Sequence, residues 1–324
     1  MAISGNFLPL PKAELHAHLN GCVPPAVVHR LAKQHNILIP DDFKLPDDLL
    51  VRKPVTTLLE YFRPWHVFKR LPVGHLCLDE MLSAAVELLA MDGVEYVELR
   101  NSPFNIAEIN GITIHRTLEW LVESAAKASE CYNADVRLII SLSRYKFDLA
   151  QANLLLSAIG DISHGGRIVG LDLSGNEDDH VPSDVSHLFQ RAKGDYGLGV
   201  TVHAGETGIA DNIRWAVEEC HADRIGHGLA AINEPRLMEL LLSNDVCVET
   251  CLHSNVITGR ISSLDSHPIH VFIEHSVPFV LCTDNPQVHG VSLSDEYSLF
   301  VAATGRRDLV DRMHETQRRY AFAN

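Results

Sequence analysis

The stretch PKAELHAHLNG, residues 11–21, places two histidines two positions apart near the start of the chain. If residues 13–19 form a strand, alternate side chains share a face, so Glu14, His16 and His18 point the same way. Neighbouring imidazoles on a buried face need partners, because burying an unpaired polar group is unfavourable. This stretch alone leaves two interpretations open: a pair of hydrogen-bonded histidines, or part of a metal site.

Short apolar or β-branched runs followed by polar turns recur along the whole chain. Eight of them are predicted strands: residues 13–19, 95–102, 135–143, 168–175, 199–206, 223–228, 246–254 and 277–284. Amphipathic stretches with helical spacing lie between them, including residues 25–34, 78–93 and 213–222. Eight strands alternating with helices predict an α/β fold with parallel pairing, and eight units fit a closed (β/α)₈ barrel better than an open sheet. No Gly-x-Gly-x-x-Gly follows the first strand, which disfavours a dinucleotide-binding fold.

The chain shows no low-complexity stretch or break in composition, so we expect residues 1–324 to form one barrel domain. A longer segment centred on residues 56–71 follows strand 1 and is predicted to be a helical insertion over the C-terminal mouth of the barrel. Its apolar residues are Leu58, Leu59, Phe62, Trp65 and Phe68. They form either a face over the mouth or ordinary packing against the barrel.

Composition excludes several classes of partner. The net charge of −15 and the lack of a Lys/Arg cluster argue against binding to a nucleic acid polymer. No apolar run is long enough for a membrane span, so we expect no membrane partner. The N-terminus lacks signal-peptide features, and seven scattered cysteines without Cys-x-x-Cys spacing are typical of reduced thiols. We therefore expect a cytoplasmic protein.

Unusual polar residues collect where the predicted strands end. They are His16 and His18 after strand 1, Gly175 after strand 4, His203 and Glu206 after strand 5, His227 after strand 6, and Asp284 and Asn285 after strand 8. Each has an ordinary explanation alone, such as a rim histidine or a helix cap. Together they predict a site, because (β/α)₈ enzymes carry their chemistry at the C-terminal ends of the strands.

The residue types indicate hydrolytic metal chemistry. The candidate ligands are His16, His18, His203 and Asp284. Three nitrogens and one oxygen suit a catalytic Zn²⁺ with one position open for water, which loses its proton near neutral pH when bound. Glu206 is placed as a proton donor to the substrate. His227 either takes the proton from the water or holds the resulting hydroxide in line.

Four segments then resemble the signature segments of the adenosine deaminase family, in the family's order: PKAELHAHLNG, HAGE, RIGHG and CTDN. The resemblance implies a (β/α)₈ barrel with one zinc per chain, held by the four candidate ligands. It also implies that Glu206 protonates purine N1, His227 partners the hydroxide and the backbone of Gly175 meets purine N3. The implied enzyme is a hydrolase that releases ammonia from C6 of a 6-aminopurine, chiefly adenosine or 2′-deoxyadenosine.

Two positions depart from the common family pattern. Asn285 stands where many members have Asp, and its amide can still donate a hydrogen bond to purine N7. Asn20 stands where members carry an acid facing the 5′ end of the sugar, so a 5′-phosphate would not be repelled. Arg144 and Lys146 follow strand 3 and can reach such a group, although solvated loop charges are the simpler interpretation.

Other functions remain open on the sequence. The substrate can be adenine, an N6-substituted adenine such as N6-methyl-AMP, or a 5′-modified nucleoside. A two-metal amidohydrolase needs a bridging residue, commonly Lys or Glu, and residues 171–175 offer no Lys. A non-catalytic purine binder is disfavoured because every candidate ligand and acid is present. The His/Cys/Cys type of zinc deaminase is excluded, since its Pro-Cys-x-x-Cys motif is missing.

Overall fold

The barrel is present as predicted from the sequence. A computed structural model describes residues 7–179 and 181–323, in which eight parallel strands pair in chain order. The strands are β1 Lys12–His18, β2 Val94–Asn101, β3 Asp135–Ser143, β4 Ile168–Ser174, β5 Gly199–Ala204, β6 Arg224–His227, β7 Cys247–Thr250 and β8 Phe279–Leu281. All eight overlap the predicted strands, although β7 and β8 are shorter because their last predicted residues turn away into loops and helices.

Closure of the barrel takes place at candidate site residues. His18 N–H donates to the carbonyl of Asp284 (2.9 Å), and Asp284 N–H donates to the carbonyl of His16 (2.8 Å). Just inside this seam, the buried Glu14 carboxylate accepts hydrogen bonds from Thr283 N–H (3.0 Å) and from its hydroxyl (2.7 Å). The segment that completes the barrel thus sets the spacing between β1 and Asp284.

Helices form the outer layer and the connections. They are α1 Leu19–Cys22, α2 Pro25–Gln34, α3 Leu58–Tyr61, α4 Trp65–Phe68, α5 His75–Met91, α6 Pro103–Asn110, α7 Ile114–Tyr132, α8 Leu149–Asp161, α9 Val185–Tyr196, α10 Ala210–Glu218, α11 Pro235–Ser243, α12 Leu252–Ile257, α13 Ile269–Glu274, α14 Pro286–His289, α15 Leu293–Thr304, α16 Arg307–Asp311 and α17 Met313–Tyr320. None of the helices within the described ranges is long and apolar enough to cross a membrane.

Local sequence explains where the main helices begin. Proline at the first position of α2 and α6 supplies a helical φ where no N–H partner is needed. The hydroxyl of Thr113 accepts from the third residue of α7, and Ser292 forms a capping box with Asp295 at the start of α15. The apolar faces of these helices pack on the outside of the strands, which places the hydrophobic core between the two layers.

The apolar residues of the insertion between β1 and β2 are divided between the two predicted roles: some pack against the barrel, and others face its mouth. Phe68 is fully buried, while Leu59, Phe62 and Trp65 line the cavity at the mouth of the barrel. Leu59 is nevertheless 82% exposed, so it belongs to the rim. The side chain of Leu58 lies outside the described residues.

Candidate active site

A cavity of about 970 Å³ opens at the C-terminal ends of the strands. Eight of the nine site residues predicted from the sequence line it: His18, Asn20, Gly175, His203, Glu206, His227, Asp284 and Asn285. The ninth, His16, is fully buried and lies in ring contact with His18, His203 and His227. The fold therefore brings together residues that are up to 269 positions apart in sequence.

Three imidazoles and one carboxylate converge beside the cavity. One nitrogen from each of His16, His18 and His203 lies within 4.8 Å of the others. His18 Nε2 is 3.3 Å from His203 Nε2 and 3.4 Å from Asp284 Oδ1, and His16 Nε2 is 3.7 Å from the same oxygen. These four donors can hold one metal ion.

The ring orientations fit a metal better than a set of hydrogen-bonded histidines. His16 Nδ1 lies 2.7 Å from Glu249 Oε2, and His203 Nδ1 lies 2.9 Å from Asp172 Oδ1. Since each Nδ1–H donates to a carboxylate, each Nε2 lone pair is directed to the cluster. His16 Nε2 is buried and finds no hydrogen-bond partner within the described part of the chain. Such an orphaned nitrogen is what a metal would satisfy.

The protonation states also favour ligation. Burial lowers the pKa of His16 well below its ordinary value and that of His18 to about 4, so both rings are neutral near neutral pH. Burial opposes ionisation of Asp284, but the adjacent His18 and His16 rings hold the pKa of its carboxyl well below the usual range. Metal ligands must be deprotonated, as these three groups are. At the fourth candidate ligand, His203, burial lowers the pKa, but the adjacent Asp172 carboxylate outweighs burial and raises the pKa above its ordinary value.

An ion-pair layer crosses the barrel on the amino-terminal side of the histidines, and the sequence analysis missed it. Arg100 pairs with Glu249 and with Asp172 (3.2 Å), while Arg224 pairs with Glu98 (2.5 Å) and with Glu249 (2.7 Å). All five side chains have no solvent exposure. The available signal was a charged residue inside an otherwise apolar strand, as in LDLS of β4 and CVET of β7.

Helix α12 fixes two site residues through adjacent side chains, and it was also missed. Ser254 Oγ–H donates to Asp284 Oδ2 (2.6 Å), and Asn255 Nδ2 lies 3.0 Å from His227 Nδ1. Asp284 and His227 both have positive φ, at 64° and 66°. This conformation is strained for residues other than glycine and persists where the surroundings hold it.

Glu206 and His227 face the same part of the cavity, with Glu206 Oε2 4.0 Å from His227 Nε2. The loop that carries Glu206 is fixed by the carboxylate of Glu177. That carboxylate accepts from Gly205 N–H (2.7 Å) and Thr207 N–H (3.0 Å). A carboxyl group is thus presented to the cavity beside the imidazole and just outside the metal cluster.

Two residues predicted to contact the substrate differ in whether their polar groups are already hydrogen-bonded within the protein. Gly175 lines the cavity wall without a side chain to cover its backbone, and its φ of 102° is a conformation that favours glycine. The two amide hydrogens of Asn285 instead face Asp284 Oδ1 (2.7 Å) and the Tyr61 hydroxyl (3.0 Å). A Cβ on Gly21 would lie 2.0 Å from Asn285 Oδ1, so the amide is also confined from behind. The Asn285 amide can therefore donate to purine N7 only if it gives up one of these two hydrogen bonds.

Arg144 and Lys146, the two basic residues after β3, differ in solvent exposure. Arg144 is only 3% exposed and donates to the carbonyl of His203 (2.9 Å), so it is neither a solvated loop charge nor free to reach a substrate group. Both interpretations of Arg144 from the sequence were wrong. Lys146 is exposed at the rim of the cavity, with its ammonium 5.2 Å from the ring centre of Tyr145.

Comparison with known proteins points to one family. Residues 11–317 match the family model described as adenosine deaminase. An adenosine deaminase from Proteus mirabilis is 35% identical over 305 residues, covering 91% of this chain and 88% of its own. The solved Arabidopsis N6-mAMP deaminase is 28% identical with a TM-score of 0.84, covering 98% and 94%. The adenine deaminase from Arthrobacter aurescens shares the fold, with a TM-score of 0.86 at 23% identity, covering 97% and 94%.

Proposed function

The chain belongs to the adenosine deaminase family and is a hydrolase of carbon–nitrogen bonds, and from this premise we propose that it deaminates C6 of a 6-aminopurine nucleoside. The preferred substrates are adenosine and 2′-deoxyadenosine, and the products are the corresponding inosine and ammonia. The curated relative from Proteus mirabilis, which covers most of both chains, supports this choice.

The cofactor proposed is one Zn²⁺ per chain, held by His16, His18, His203 and Asp284. When bound, such a metal lowers the pKa of water and supplies a nucleophile at neutral pH. The single observation that carries the proposal is the convergence of three histidine nitrogens beside a cavity, with Asp284 Oδ1 next to two of them and His16 Nε2 left without a partner among the described residues.

The protein's own groups then have separate tasks. Glu206 protonates purine N1, which reduces electron delocalisation in the ring and makes C6 more electrophilic. His227 contacts the attacking oxygen from the side opposite Asn255. The backbone of Gly175 and the amide of Asn285 orient the base at N3 and N7. The insertion is expected to exclude water from part of the cavity, because its apolar residues Phe62 and Trp65 line the wall.

The experiment is ammonia release from adenine, adenosine, 2′-deoxyadenosine, AMP, N6-methyl-AMP and 5′-modified adenosines, with metal analysis of the same preparation. For the N6-methyl substrate, methylamine is measured as well, since it is the group that leaves. We expect the fastest turnover with adenosine and about one zinc per chain. A zinc-loaded protein that releases no amine from any of these compounds would overturn the proposal.

A second candidate substrate is an N6-substituted AMP. Asn20 lines the cavity with a neutral amide, and Lys69 and Lys146 also line it. The Arabidopsis N6-mAMP deaminase, 28% identical over nearly the whole chain, supports this candidate.

Replacing Asn20 by Asp distinguishes the two substrates. If Asn20 lies at the 5′ end of the substrate, N20D should lower kcat/KM for a 5′-phosphate by about 10-fold or more, since close like charges repel. Adenosine turnover should be maintained or improved. An unchanged ratio of AMP to adenosine turnover would place the 5′ end elsewhere.

A further inference from the structure

Three hydrogen bonds run in series from a backbone amide to the ring of His227. Ile269 N–H donates to His267 Nδ1 (2.9 Å), and His267 Nε2 lies 3.1 Å from Asn255 Oδ1. Asn255 Nδ2 then lies 3.0 Å from His227 Nδ1. The side chains of His267, Asn255 and His227 are at most 2% exposed, so water does not compete for these bonds. We call His267 and Asn255 the relay.

The first hydrogen bond of the series determines which atom is the donor and which is the acceptor in the other two. A backbone N–H can only donate, so His267 Nδ1 accepts and the single proton of the neutral ring is on Nε2. Burial lowers the pKa of His267 to about 3, which keeps that ring neutral. His267 Nε2–H therefore donates to Asn255 Oδ1. This fixes the amide orientation, which leaves Asn255 Nδ2 as the donor to His227.

We propose that Asn255 and His267 are positioning residues that hold His227 as the tautomer with its proton on Nε2, the nitrogen nearer to Glu206. With Nδ1 accepting from Asn255, the one proton of neutral His227 must be on Nε2. The opposite tautomer would set two donors against each other across 3.0 Å. The hydrogen bonds alone carry this assignment, independently of the reaction.

The consequence for catalysis rests on the proposed deaminase function. His227 donates its Nε2–H to the attacking oxygen and holds it in line, and it does not take the proton of that oxygen. The sequence left both roles open for His227, and the relay decides between them.

The test is nuclear magnetic resonance of the zinc-loaded full chain with ¹⁵N-labelled histidine rings. Two-bond ¹H–¹⁵N correlations distinguish protonated from unprotonated ring nitrogens, and His227 is assigned by its loss from the spectrum of H227Q. We expect an unprotonated Nδ1 and a protonated Nε2. A His227 ring that carries its proton on Nδ1, or on both nitrogens, overturns the proposal.

Asn255→Asp tests the relay by a change of nearly equal size. A carboxylate accepts from both neighbours, so the proton of His227 should move to Nδ1 and kcat should fall about 100-fold, the loss expected for one donor to the reacting oxygen. KM and zinc content should stay near those of the parent, which a general structural defect would not allow. The parent tautomer and kcat in N255D would overturn the proposal.

If N255D does not fold, His267→Ala and His267→Gln provide the same test. H267A removes the donor that orients the Asn255 amide, so both tautomers of His227 should be seen. The amide nitrogen of glutamine can donate to Asn255 Oδ1, so H267Q should restore the single tautomer. A single Nε2–H tautomer in both variants would overturn the relay. A protein with the expected tautomer that releases no amine would overturn the proposed function and leave the relay standing.

Discussion

Two layers inside the same barrel come from different strands and differ in how their polar atoms are paired. The metal-site layer comes from β1, β5 and the residue after β8, and the ion-pair layer comes from β2, β4, β6 and β7. In the metal-site layer, formed by His16, His18, His203 and Asp284, His16 Nε2 has no hydrogen-bond partner among the described residues, and His18 Nε2 lies 3.3 Å from His203 Nε2. In the ion-pair layer on its amino-terminal side, every side chain faces one of opposite charge. Atoms without a hydrogen-bond partner among the described residues occur in both layers, since Arg100 Nε and Nη1 are also among them. The difference is that ligand-type atoms converge on one point in the metal-site layer, whereas opposite charges pair in the ion-pair layer and hold the ligating groups in place.

The two layers meet at Glu249 and Asp172. Each of these carboxylates accepts from a ligand histidine and pairs with Arg100 at the same time. Burial opposes ionisation of both carboxyls, but their charged neighbours keep both pKa values below the ordinary value: His203 and then Arg100 at Asp172, and Arg100 and then Arg224 at Glu249. Charged carboxylates can only accept, so they keep both histidines in the tautomer that offers Nε2 to a metal.

The largest effect is expected from removing a ligand of the metal-site layer. His203→Ala should abolish zinc retention and turnover. Loss of a ligand should cost more zinc affinity than the loss of about 10–100-fold that follows replacement of a residue hydrogen-bonded to a ligand. The fold should persist, since Asp172 loses one partner but keeps its ion pair with Arg100. Metal analysis and circular dichroism check this, with the exposed His115→Ala as the matched control. Full zinc occupancy in H203A would remove His203 from the ligand set.

Glu206→Gln separates chemistry from metal binding within the cavity. Turnover should fall about 10²–10⁴-fold, because an amide cannot give the proton. Zinc content and the urea midpoint should match those of the parent, since Glu206 is outside both layers. Steady-state kinetics beside metal analysis provide the measurement. Turnover near that of the parent would show that another group donates the proton.

Glu249→Gln removes one negative charge from the ion-pair layer and hardly changes the size of the side chain. Two buried arginines lose a partner, so the free energy of unfolding should fall by about 3–5 kcal/mol. Urea denaturation with and without a chelator measures this loss apart from zinc. Asp245→Asn is the matched control, because Asp245 precedes β7 but pairs with Arg319 at the surface, and its loss should change little. Equal stability of both variants would contradict the assigned role of the layer.

The smallest change is expected from Asp172→Asn, which sharpens the distinction between the layers. An asparagine can turn its N–H towards His203 Nδ1, which would place the proton of that ring on the metal-facing Nε2. Zinc affinity should fall by about 10–100-fold. Competition with a zinc chelator measures it, and Asp172→Glu, which keeps the charge, should lose less than Asp172→Asn. Asparagine and glutamate variants with the affinity of the parent would show that Asp172 does not orient His203.

Much of the barrel and the site was readable from short-range patterns. Strand β3 and helix α2 have the predicted bounds, since alternation and helical spacing are local properties. The nine predicted site residues came from polar residues at strand ends and from family motifs, and the structure brings them together. The error at Arg144 arose because sequence position after a strand does not tell whether a side chain turns to solvent or back under the neighbouring strand.

The sequence by itself determined the fold class, the residue types of the candidate site and the family. The tertiary structure alone decided which carboxylate faces which histidine, that Tyr61 and Asp284 engage the amide of Asn285, and that His267 and Asn255 reach His227. The physical reason is distance along the chain. Periodicity encodes which face a residue occupies on its own element, whereas a hydrogen bond between elements depends on how distant segments pack and which donors burial leaves without water.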